Sequence, residues 1–202
     1  MRTTPQEKPK KTPKKTVRVG AEAQRHHRTV MLAKMGLMVA ISVICSLIHF
    51  PILPAAPFLE FEVSDIPILI AAFAFGPLPG LVIAALSILL HDVLIGMANG
   101  PYGMIMHMIA IGMYVFVSGS IYKKFKSRRG ALTGLILGGL CMVLVMIPAN
   151  ILITPHFMVT SVEFVYGMIP TAILPFNLIK FAINAVVVFL LYKRLSPFLH
   201  KW

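Results

Sequence analysis

The amino-acid sequence predicts an all-α integral membrane protein with six transmembrane helices and both termini in the cytoplasm. Three observations carry this reading. Of the 202 residues, 57% are hydrophobic and only 13% charged, with a mean hydropathy of +0.83, far outside the range of a soluble domain of this size. The apolar residues fall in runs long enough to cross a bilayer. The basic residues cluster where the cytoplasmic face of a membrane collects them.

Taken in chain order, the first element is a tail. Lys and Arg number 19 against 7 Asp and Glu, but nine of the basic residues lie in the first 28 positions, "MRTTPQEKPKKTPKKTVRVGAEAQRHHR". A segment so rich in Lys and Pro buries no core, so residues 1–29 read as a basic, disordered cytoplasmic tail. Its role is to orient the first helix and meet anionic membrane lipid; no nucleic-acid partner is expected. Residues 30–202 form the membrane domain. The run from Met31 to Phe50 is of spanning length and is followed by no small-x-small cleavage site, so it reads as a retained helix rather than a signal peptide.

Three further runs are plain: Met104 to Tyr122, Ala131 to Ile153 and Thr171 to Tyr192. At about 1.5 Å per residue each can cross the hydrocarbon core. Residues 66 to 90 carry no charge but are interrupted by "GPLPG" at Gly76 to Gly80. One helix here would put "KKFKSRR" (Lys123 to Arg129) and the C-terminal Lys193, Arg194 and Lys201 outside. Two helices joined by a turn put both clusters inside, with Glu60, Glu62, Asp65, Asp92 and Glu163 at or near the outer face. Two prolines flanked by glycines also suit a turn. The second helix is then short, and must be tilted or shielded by its neighbours.

No Walker A sequence, Cys/His metal cluster or Gly-x-Ser-x-Gly is present, so neither a cofactor nor a metal is expected. Cys45 and Cys141 sit within apolar runs and read as packing residues. Asn177, Lys180 and Asn184 recur at intervals of three and four, which aligns them along one face of the last helix. Lys180 lies well inside its run, so a water-accessible pocket is a better setting for the ammonium than snorkelling. His107 and the His91–Asp92 pair are further polar candidates. Gly36 and Ala40, four apart on the first helix, permit close helix approach, for which internal packing is the plain reading; Gly130, Gly134 and Gly138 repeat that spacing.

"FLEFEVSDIPILIAAFAFGPLPG", "GSIYKKFKSRRGALTGLILG" and "ILPFNLIKFAINAVVVFLLYKRLSP" resemble the substrate-binding S components of energy-coupling-factor (ECF) vitamin transporters, in particular the riboflavin-specific RibU family. The resemblance spans roughly residues 30 to 200. It implies a multi-pass protein of the bacterial cytoplasmic membrane that binds riboflavin from the extracellular side. It also implies work with a transmembrane coupling subunit and two ABC-type ATPase subunits, which supply the nucleotide chemistry this chain lacks. The family's polar ligands match Asn150, Asn177 and Lys180, and its coupling contact matches Gly36 and Ala40. Riboflavin members carry Gly-Glu-Leu-Ala-Asn where this chain has "GMIMH" ending at His107. That difference keeps open another vitamin or precursor of the pyridoxine or hydroxymethylpyrimidine type. A membrane-embedded lipid-modifying enzyme is the alternative of another class. It calls for clustered acidic or His groups, whereas the Lys-Asn face reads as having no carboxylate partner, so the chain is not expected to be an enzyme.

Overall fold

The computed structural model describes residues 14–96 and 100–199. By its internal contacts the chain divides into two units, Met1–Lys34 and Met35–Trp202. In the first, helix α1 (Lys14–Ser46) begins, so the expected disordered tail is helical from Lys14 onward. The reason is local: after Pro13 no proline follows until Pro51, and "AEAQRHHR" supplies helix-compatible residues. Residues 1–13 of that tail lie outside the described residues.

The second unit holds the rest of the fold. After α1 come β1 (His49–Pro51) and β2 (Glu60–Glu62), paired antiparallel with Phe50 opposite Phe61. Pro51 ends the first strand after three residues. Between the strands, Ala56 and Leu59 are buried in a small apolar cluster with Ala172 and Phe176. The ribbon is thereby seated on the start of the last helix.

Helices α2 (Asp65–Phe75) and α3 (Pro77–Ile95) follow, and Gly76 alone separates them. Its φ of 97° is open to glycine and costly for other residues, and Pro77, which has no N–H to leave unsatisfied, opens α3 at N1. Gly80, expected in the turn, instead lies in the first turns of α3, where a Cβ would meet Ala72 of α2 at 2.8 Å. Gly80→Ala is therefore expected to cost about 1–3 kcal/mol by overpacking. A parent-like melting temperature of the detergent-purified variant would show that the two helices can part without loss.

Then come α4 (Gly100–Lys124), α5 (Arg128–Met158), the short α6 (Val162–Met168), a π-helical segment (Ile169–Ile173) and α7 (Leu174–Leu199). Gly134 and Gly138 of α5 press against Ser118 and Tyr114 of α4, and Gly139 against the Phe181 ring of α7. That stripe serves internal packing. Among the described residues five helical stretches are long and apolar enough to cross a membrane: Gln24–Ser46, Pro77–Leu94, Gly100–Lys124, Arg128–Met158 and Val162–Tyr192. The apolar α2, at 11 residues, is too short alone for a hydrocarbon core of about 30 Å. It is largely sheathed: Ile68, Leu69, Ala71 and Ala72 are fully buried in the main core. The molecule is a helical membrane protein.

Candidate functional site

A cavity open to solvent lies between the β-ribbon and the helices. Phe58, Leu59, Glu60 and Glu62 come from the ribbon, His91 and Asp92 from α3, and Tyr102, Met104, Met106 and His107 from α4. Helix α5 gives Met146, Asn150, Thr154 and Phe157, and α7 gives Phe176, Asn177 and Lys180. No described residue of α1 lines it.

Its polar side is built by irregular helix. Pro148 and Pro155 interrupt α5 on either side of Asn150, and neither proline has an N–H to donate to the preceding turn. Asn150 donates from Nδ2 to the Met146 carbonyl at 2.7 Å and accepts at Oδ1 from the Thr154 hydroxyl at 3.0 Å. Asn177 follows the π-helical segment and donates to the Ile173 carbonyl at 2.8 Å. Each amide keeps a second N–H that these bonds do not use. Both asparagines are buried, as is Lys180.

Asn184 is placed differently from the sequence expectation. It does not line the cavity; it is fully buried and donates to Asp65 Oδ2 at 2.9 Å. Asp65, the first residue of α2, is the hub of a charge network. The same Oδ2 lies 3.1 Å from Lys180 Nζ, and Oδ1 lies 2.8 Å from His107 Nε2. His107 Nδ1 in turn meets Glu62 Oε1 at 3.1 Å. The expectation that the Lys-Asn face lacks a carboxylate is thus corrected: Lys180 has Asp65, and His107 has two. An imidazole can donate to both carboxylates only as the imidazolium, which with Lys180 sets two cations against two anions. Burial pushes the Glu62 carboxyl up, but the charge and hydrogen bond of His107, with the charge of Lys180, outweigh it and hold it down to about 2. Glu62 is therefore an anion at neutral pH.

Sequence reasoning treated Glu62 and Asp65 only as markers of the outer face. The signal that pointed to them was Lys180 itself, since a charge at membrane depth calls for a counter-ion. The aromatic wall was also missed. Phe157 stands between Phe58, at a ring-centroid distance of 5.9 Å, and Tyr102, at 6.4 Å. These rings come from three separate elements, so no local periodicity joins them. The cavity thus offers donors from Lys180, Asn150 and Asn177 beside apolar and aromatic surface, a combination suited to a flat molecule with acceptors along one edge.

Gly36 and Ala40 lie apart from this, both exposed on α1. Leu37, Ile41 and Ile44 beside them are exposed as well, while Val39 and Ser42 face the protein interior.

Comparison with known proteins bears on most of the chain. A riboflavin transporter, RibU, of Staphylococcus aureus is 31% identical over 176 residues, covering 84% of this chain and 92% of that protein. The riboflavin transporter FmnP of Bacillus subtilis is 29% identical over 178 residues, covering 84% and 94% respectively. A solved structure of the S component of a bacterial ECF transporter superposes with a TM-score of 0.74 at 31% identity, covering 85% of this chain and 98% of that one. Residues 30–192 match the family described as ECF transporter, substrate-specific component, and the chain belongs to that family of transporter components.

Proposed function

We propose that this chain is the riboflavin-binding S component of an ECF transporter in a bacterial cytoplasmic membrane. It captures the vitamin from the extracellular side and passes it inward with a transmembrane coupling subunit and two ATPase subunits. The observation that carries the reading is the cavity: aromatic and methionine surface for an isoalloxazine ring, with Lys180, Asn150 and Asn177 presenting donors to the ring's carbonyl and nitrogen acceptors. The similarity to proteins named as riboflavin transporters supports the same ligand. Ligand identification by mass spectrometry on protein purified without added vitamin tests it. Bound flavin is expected; a bound pyridoxine or hydroxymethylpyrimidine compound would overturn the assignment while keeping the scaffold.

The proposed topology is six spans, α2 counted as a shielded short one, with both termini cytoplasmic. Lys123 and Lys124 close α4, and Arg128 and Arg129 open α5, whereas the cavity is lined by the opposite end of α4, from Gly100 to His107. Under the positive-inside rule the cavity then faces outward. Cysteine labelling checks this at exposed positions. Ser127 and Ser161 are unsuitable, because their hydroxyls cap α5 and α6. Lys126→Cys should react with an impermeant maleimide only from the cytoplasmic side, and Glu163→Cys only from outside. Reaction of both from one side refutes the six-span arrangement.

A further inference from the structure

Away from the cavity, where α4 ends and α5 begins, the surface carries charge that nothing in the chain answers. The connection "KKFKSRR" holds five cations between Lys123 and Arg129, and all of its residues are exposed. The sequence has no carboxylate between Asp92 and Glu163. Asp92 lines the cavity, and Glu163 lies in α6, beyond the far end of α5. None of the five cations takes part in an ion pair among the described residues. Phe125 stands between them, 56% exposed, with Lys124 Nζ 5.6 Å from its ring centroid.

Membrane orientation accounts for part of this. Lys123 and Lys124 close α4, where a cation suits both the positive-inside rule and the helix dipole. Arg128 and Arg129 stand instead in the first turn of α5, with no acidic residue beside them, at the end of a helix where cations are disfavoured. Their register shows what answers them. Ser127 fixes the start of α5 by accepting from the Gly130 N–H at 3.0 Å. On the face of Arg129 then follow Leu132, Ile136 and Leu140 at helical spacing, all exposed. The other face, with Gly130, Gly134 and Gly138, is buried. In a bilayer the exposed stripe meets acyl chains, which are as apolar as leucine. Helix side chains lean toward the N-terminus, so the Arg129 guanidinium sits above the stripe, at headgroup level. A molecule that satisfies both parts carries an anion on top of a hydrocarbon chain, and a guanidinium fork matches phosphate. We propose that Lys126, Arg128 and Arg129, together with the exposed stripe of α5, form a binding site for an anionic phospholipid. Its phosphate meets the arginines, one acyl chain follows Leu132, Ile136 and Leu140, and Phe125 seats in the boundary beside the headgroup. The site is independent of which vitamin the cavity takes.

Brominated lipids test it, because bromine quenches a nearby indole. Leu132→Trp, with the chain's single native tryptophan removed by Trp202→Phe, places the reporter on the stripe. The purified full-length reporter goes into phosphatidylcholine nanodiscs that contain a minor fraction of brominated phosphatidylglycerol or, in parallel, of brominated phosphatidylcholine. Phosphatidylglycerol should quench well beyond phosphatidylcholine, whose choline cancels the phosphate charge. Adding Arg129→Gln should lower that preference about fivefold, the scale of one basic residue at a membrane surface. Neutralising Lys126, Arg128 and Arg129 together should abolish it, whereas Arg129→Lys should keep most of it. A parent-like melting temperature in lipid-free detergent shows that each variant is folded. Equal quenching by the two lipids in the reporter protein, or a preference that survives the triple neutralisation, would overturn the site. Loss of cellular uptake by Arg129→Gln with no lipid preference in the reporter would also overturn it, and would assign the loop to a protein partner.

Discussion

Lys180→Met should bind riboflavin about tenfold to a hundredfold more weakly than the parent, and without ligand it should melt at a lower temperature. The first effect follows from the donors removed. Of the three N–H groups of Lys180, one is committed to Asp65 at 3.1 Å, which leaves two for a ligand in the cavity it lines. Losing a hydrogen bond from a charged group costs about 1.5–3 kcal/mol, which is that range of affinity. The second effect has the opposite sign from what a lone buried ammonium implies. Were Lys180 unpaired, methionine would relieve a costly charge and raise stability. Asp65 is fully buried, however, so removing its cation leaves a carboxylate served only by His107 and Asn184. Breaking a buried pair from one side costs about 3–5 kcal/mol in general, and the two remaining partners should keep this case below that. Lys180→Met with Asp65→Asn should recover stability without recovering affinity. Flavin fluorescence quenching and thermal melts in detergent read the two effects separately. Parent-like binding by Lys180→Met would mean that the ammonium serves only Asp65 and that the proposed ring site is misplaced.

The reversal of that stability sign shows where sequence reasoning reaches its limit in this chain. Spacing along one helix was legible: Asn177 and Lys180 do share the cavity-facing side of α7, and the break between α2 and α3 falls at Gly76, where glycine and proline announced it. Contacts between helices were not legible. Asn184 follows the same spacing, yet it turns to an aspartate 119 positions away, and His107 reaches one 42 positions away. Periodicity assigns a residue to a face but not to a partner across the bundle, so three aligned polar residues read as one set although Asn184 does not line the cavity. The start of α1 was missed for a different reason. Charge and proline content set the expectation for the whole tail, whereas helix propensity acts residue by residue once the prolines have passed.

Gly36→Leu or Ala40→Leu should abolish riboflavin uptake by cells while leaving binding by the purified protein within about twofold of the parent. The two sides of α1 differ in what they are free to meet. Val39, Ser42 and Ser46 are buried, and Ser42 and Ser46 tie their hydroxyls back to the α1 carbonyls of Met38 and Val43. That face is committed to the protein's own packing. On the other, Gly36 and Ala40 are exposed, and a Cβ built on Gly36 meets nothing within 4 Å. Internal packing, the plain reading of such a pair from spacing alone, therefore does not account for this glycine. A notch of two small residues one turn apart, bordered by the exposed Leu37, Ile41 and Ile44, lets a second helix backbone approach closely, which is how helices associate in lipid. The coupling subunit is the proposed occupant. A leucine fills the notch without disturbing the fold, and no described residue of α1 lines the cavity to transmit the change. Gly36→Ala, which keeps the notch open, should retain most of the uptake. If the leucine variants lose binding in proportion to uptake, the small pair supports the site from within and the docking face must be sought elsewhere on the bundle.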